Sequence, residues 1–135
     1  MKVKIEILAM ANKVLLATKA LNFNKVTPLE LGYLISVMDF QSNSVRNVNN
    51  LDSNVNLIKE SLAFLVVNDF FDYQQGYYYP TINANIYSSK IGKRSCEYLN
   101  QMEEILKGKQ DIVQLFFNES QKYMNRIYQT NEVIK

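Results

Sequence analysis

Between residues 4 and 22, inward-type side chains recur at Ile7, Leu8, Ala11, Leu15, Thr18 and Leu21, with Lys4, Lys13 and Lys19 on the other side. Steps of three and four predict an amphipathic helix, which Asn22 and Asn24 favour ending. The next start is sharper. In Thr27-Pro28-Leu29-Glu30, Thr27 can cap free amides, Pro28 suits the first helical position, and Glu30 stands where a capping box needs it. Leu31, Leu34, Ile35 and Met38 supply the inner face of a helix over about 28–39. The pattern weakens from Phe40 to Asp52, where Ser42 could cap a short helix carrying Val45, Arg46 and Val48. Asp52 or Ser53 can open a helix to Val67 with Val55, Ile58, Leu62 and Leu65 inward.

Phe70–Tyr73 and Tyr77–Ile82 then form two short aromatic strands around Gln74-Gln75-Gly76, a hairpin turn in which glycine can take positive φ. Pro80 marks an edge strand or an early end. Asn83–Tyr87 reads as connecting chain. Ser88 or Ser89 starts a helix with Cys96, Leu99, Met102 and Leu106 on one side, and Gly108 breaks it. A last helix over about 110–129 has Val113, Phe116, Met124 and Ile127 inward. Leu115, Phe117, Tyr123 and Tyr128 broaden its apolar surface beyond one stripe. The expectation is one mainly α domain, 1–135, with one small β-hairpin and additional C-terminal helices. Terminal helices 1–22 and 110–129 would pair in a homodimer, with Leu115, Phe117, Tyr123 and Tyr128 at the interface.

This order of helices and hairpin resembles the winged helix-turn-helix superfamily over residues 27–82. Thr27–Asp39 matches its positioning helix, Ser53–Val67 its recognition helix and Asp69–Ile82 its wing. Residues 40–52 depart from it: they form an Asn-rich insertion where the superfamily has a tight turn or short helix. Such a fold brings the start of its second helix to base edges. Here those side chains are Asn54, Asn56 and Lys59, since Asn pairs with adenine and Lys reaches guanine or phosphate. Arg46, Lys90, Lys93 and Arg94 would meet the DNA backbone, and the wing tyrosines Tyr73, Tyr77, Tyr78 and Tyr79 offer rings for stacking or for protein contact. The same order also resembles small bacterial middle-component proteins that bridge subunits in multi-gene ATPase defence systems. That resemblance implies a noncatalytic adaptor. The two readings are a double-stranded-DNA-binding regulator, or plasmid- or phage-type DNA-binding factor, and a protein-binding adaptor.

Charge narrows the choice only a little. Fifteen basic and thirteen acidic residues leave +2, far from the excess that a nonspecific DNA coater carries. Glu60 beside Lys59 and Asp72 in the hairpin both oppose phosphate. The sixteen asparagines favour caps and turns.

Chemistry is sparse. There is no histidine, which removes imidazole bases and mixed His/Cys zinc sites. The single Cys96, on an apolar stripe, reads as core. Glu103 and Glu104 are adjacent and diverge on a helix, and the glycines stand singly, without a phosphate loop. No enzyme, metal or cofactor is expected. The opening segment through Leu21 is interrupted by Glu6, Asn12 and Lys13, which reads as a structural helix of a cytoplasmic protein rather than a signal peptide or membrane span.

Overall fold

The computed structural model describes residues 4–41, 51–107 and 111–134, with side chains through Arg126. Its order is α1 Ile5–Leu21, α2 Pro28–Gln41, α3 Leu51–Val67, β1 Phe71–Gln74, β2 Tyr77–Pro80, α4 Ile82–Ser88, α5 Lys93–Leu106 and α6 Ile112–Ile134. The described chain is mainly helical with one small antiparallel sheet. Among the described residues, no helix is long and apolar enough to cross a membrane.

Helix α1 sits at the centre, packed by α2, α3, α4 and α5. It therefore buries more than a stripe: Val14, Leu15, Leu16, Ala17 and Thr18 are consecutive and all buried. Leu8, at the less covered end, is exposed. Asn22 ends the helix in the left-handed region at φ 55°, its N–H donating to Thr18 O at 3.1 Å.

The capping box of α2 forms as its spacing dictates. Glu30 N donates to Thr27 Oγ1 at 3.2 Å, and Thr27 N donates to Glu30 Oε1 at 3.0 Å. Leu31, Leu34, Ile35 and Met38 are all buried, and α2 is held between α3 and α6. Where α2 meets α3, a Cβ on Gly32 would lie 2.7 Å from Val55 Cγ2, so a hydrogen there sets the helix separation. Phe40 and Gln41 extend α2, and Leu51 opens α3, shortening the Asn-rich interval from both ends. The short helix around Val45, Arg46 and Val48 lies outside the described residues.

α3 ends as a Schellman turn. Asp69 takes φ 65°, Phe70 N donates to Leu65 O at 2.8 Å, and Asp69 N donates to Val66 O at 3.1 Å. Phe71, fully buried, then anchors the hairpin. Gln75 and Gly76 both have positive φ, at 52° and 87°, the requirement of a two-residue type I′ turn. The register pairs Phe71 with Pro80 and Gln74 with Tyr77. β2 does end at Pro80, but it also gains a neighbour that no alternation announces. Val26 and Tyr78 exchange backbone bonds of 2.9 Å in each direction, joining the α1–α2 connection to the sheet.

Three expectations are corrected beyond the hairpin. Residues 82–88 form α4 rather than connecting chain, because Thr81 caps it by accepting from Asn83 N at 3.2 Å. α5 starts at Lys93 after Gly92, not at the serines, which belong to the end of α4. This shift turns Cys96 out to solvent, while Leu99 and Met102 are buried against the core.

α6 begins at the cap Asp111, whose Oδ1 accepts from Val113 N at 3.0 Å and Gln114 N at 3.3 Å. It packs on α2, with Leu115 and Tyr123 buried and Phe116 and Tyr123 against the Phe40 ring. The inward face is thus rotated from the expected one: Val113 and Met124 are exposed, and Ile127 lies beyond the described side chains.

Candidate interface on α3 and the hairpin

The outer face of α3 exposes Asp52, Ser53, Asn56, Lys59, Glu60, Ala63 and Val67. Asn54 is not among them, which corrects the expectation that it reads bases. One turn into the helix, it points back at α2 and is buried. Its Nδ2 donates to Asp39 Oδ2 at 3.1 Å and to Ser36 Oγ at 3.2 Å, so both amide protons are committed internally. Burial of an amide costs free energy unless it is bonded, and here α2 supplies the partners. Asn56 and Lys59 do face solvent, as expected from their offset to Ile58 and Leu62.

Two carboxylates, Asp52 and Glu60, share that face with the single ammonium of Lys59. Its local field opposes a phosphate backbone. Arg46 lies outside the described residues. Lys90, Lys93 and Arg94 are exposed, but on the α4–α5 junction, and α5 is docked on α1. Asn12 fixes that junction. Its Oδ1 accepts from the Tyr87 hydroxyl, and its Nδ2 donates to Ser95 Oγ at 3.3 Å.

The hairpin tyrosines divide between its two faces. Tyr73 and Tyr78 stand opposite each other across the strands, ring centroids 4.9 Å apart. Tyr73 is 54% exposed whereas Tyr78 is half-buried, and burial followed by the neighbouring Tyr73 raises the Tyr78 phenol above its ordinary value. On the other face the Lys25 ammonium lies 4.1 Å from the centre of the exposed Tyr77 ring, occupying one side of it by a cation–π contact. Tyr79 is half-buried. Tyr73 is therefore the tyrosine that offers the most open ring.

Next to this surface, Asn22, Phe23, Asn24, Lys25, Thr27, Glu30 and Tyr77 line a shallow depression of about 680 Å³. Phe23 also borders a larger cleft of about 910 Å³ between α1, α4 and the end of α5. That cleft mixes Lys19 and Lys107 with Glu103 and Glu104, and lines much of the remainder with asparagine amides and small or apolar side chains. Its lining carries charges of both signs. Among the described residues, no three carboxylates or thiolates converge on a metal-sized position.

Two of the expected dimer residues face inward. Leu115 and Tyr123 are buried on α2, while Phe117 is 58% exposed and Tyr128 falls beyond the described side chains. Sequence reasoning missed the Lys25–Tyr77 pair and the Val26 bridge, because neither residue belongs to a periodic segment. No family model, curated protein or solved structure matches this chain.

Proposed function

We propose that this chain is a noncatalytic adaptor that contacts another protein through the outer face of α3 and the tip of the hairpin. The observation that carries this reading is the charge of α3. The helix that a DNA reader would insert presents Asp52 and Glu60 against Lys59, with Asn54 turned inward. Such a face is a poor partner for phosphate but an ordinary one for protein. Open Tyr73 and Val67, 81% exposed, add apolar area with few rotatable bonds. A bridging subunit of a multiprotein, ATPase-containing defence complex, as the resemblance above implies, would use its surface in this way.

A DNA-binding regulator is the second reading. What supports it is the order of helices and hairpin, together with the Val26–Tyr78 bridge that joins the α1–α2 connection to the hairpin. In that case Asn56 and Lys59 would read bases, and Lys90, Lys93 and Arg94 would add phosphate contacts.

One experiment separates them. The protein is titrated with duplex DNA at several salt concentrations, and separately co-expressed with the products of its neighbouring genes. The adaptor reading expects a stoichiometric protein complex that Val67→Asp with Tyr73→Ser disrupts, and no salt-dependent DNA binding. DNA affinity that falls steeply with salt and is lost in Asn56→Ala with Lys59→Ala overturns it in favour of the regulator.

A further inference from the structure

α6 presents two different faces. The first, Ile112, Leu115, Phe116, Glu119 and Tyr123, is turned to α2, with Leu115, Glu119 and Tyr123 buried. The second runs through Val113, Phe117, Ser120 and Met124, of which the three apolar members are exposed. Its steps are four, three and four. At about 3.6 residues per turn this stripe lies roughly a third of a turn from the α2 contact. In the sequence the same spacing continues through Ile127, Asn131 and Ile134.

We propose that this stripe is a homotypic seam, covered by α6 of a second copy of the chain. A repeat alternating steps of three and four is the pattern by which a helix packs along another helix with the same repeat. A second copy related by a two-fold axis supplies that repeat without any further requirement. The flanks are compatible with self-pairing. Gln114 and Gln121, beside the seam, are uncharged, and each donates to an asparagine one turn on, at 3.0 Å and 3.4 Å. The charged side chains Glu119, Lys122 and Arg126 lie away from the seam, with Arg126 donating to Phe40 O at 3.2 Å and Lys122 paired with Glu119 at 3.4 Å. Among the described residues of α6, no like charges are therefore forced together when two copies approach. Ser120 does not spoil the stripe, because its hydroxyl donates to Phe117 O at 2.9 Å within the same helix. The seam leaves the contacts with α2 intact, so each copy retains its own core.

Solution mass by sedimentation equilibrium, from about 1 to about 200 µM, tests this over the range expected for a modest interface. The full chain should reach twice 15.7 kDa within that range. Phe117→Asp should weaken dimerisation at least about tenfold with helicity retained. Asn118→Asp, on the exposed polar side, should leave the dimer unchanged. If Phe117→Asp fails to fold, Met124→Gln provides the same reading. A wild-type chain that is monomeric throughout overturns the proposal, including one whose Phe117 face instead binds a different protein. A dimer indifferent to both seam variants overturns it as well.

Discussion

Asn54 Nδ2 donates to Asp39 Oδ2 at 3.1 Å, tying the first turn of α3 to the last turns of α2 across the interval that separates them in sequence. A hydrogen bond from a neutral amide to a charged group contributes more than one between neutral groups, about 1.5–3 kcal/mol. Asn54→Ala should therefore lower stability by about 2 kcal/mol in urea denaturation. Asn54→Asp, which sets a carboxylate against a carboxylate, should cost more. Neither should change partner binding if Asn54 is structural. Loss of binding at full stability would return it to the interface.

Gly32 tests how closely α2 and α3 approach. An added methyl would meet the stiff, β-branched Val55 at 2.7 Å and Leu51 at 3.3 Å. Glycine to alanine gains about 1 kcal/mol of helix propensity, but overpacking costs about 1–3 kcal/mol. Gly32→Ala should come out modestly destabilising, and Gly32→Val distinctly more so. Gly32→Ala with Val55→Ala should recover stability relative to the additive expectation. Strict additivity in that double-mutant cycle would show that the contact is not the cause.

The hairpin turn offers a gain. Gln75 holds φ 52° with a side chain that rarely adopts it, beside Gly76 at φ 87°. Asparagine tolerates this region and Asn-Gly is the favoured pair for a type I′ turn. Gln75→Asn should raise stability by about 0.5 kcal/mol, and Gly76→Ala should lower it by about 1 kcal/mol. Thermal denaturation of the two variants checks the opposite signs.

Tyr98 gives the pH dependence. Its hydroxyl is buried with no hydrogen-bond partner among the described residues, and desolvation followed by the nearby Asp39 pushes its ionisation well above tyrosine's ordinary 10.0. The native state thus keeps the phenol protonated while the unfolded chain releases the proton near its ordinary value. Stability from this group is complete below about pH 10 and falls as pH rises above it. Tyr98→Phe should flatten the alkaline loss, and at neutral pH should be neutral or slightly stabilising, since no bond is lost. Tyr87→Phe, which removes the bond to Asn12, should instead cost about 1 kcal/mol at neutral pH. Equal effects of the two changes at neutral pH would contradict the difference in their partners.

The sequence was most legible where local chemistry and burial agree. Thr27-Pro28-Leu29-Glu30 fixes the start of α2, and Ile58, Leu62 and Leu65 show the buried side of α3 because α1 and α2 cover it from one direction. The burial of Asn54 is not legible in the sequence because a polar residue off an apolar stripe looks solvent-facing until a second helix supplies Ser36 and Asp39. The inward face of α6 is not legible in the sequence because its apolar residues serve two faces, and periodicity alone does not say which one meets α2. The start of α4 depended on Thr81, whose hydroxyl also donates to Asp69 O at 2.6 Å, a contact set by the fold of the preceding hairpin.

The paired bonds between Val26 and Tyr78 make the hairpin and the α1–α2 connection one cooperative unit. The hairpin can zip locally, but these two amides find each other only after α2 and α3 have brought distant parts of the chain together. Loop closure precedes the reward. In native-state hydrogen exchange the Val26 and Tyr78 amides should therefore open together, at a free energy above that of the turn amides at Gln75 and Gly76. A ligand that stiffens the hairpin would slow exchange at Val26 without touching it.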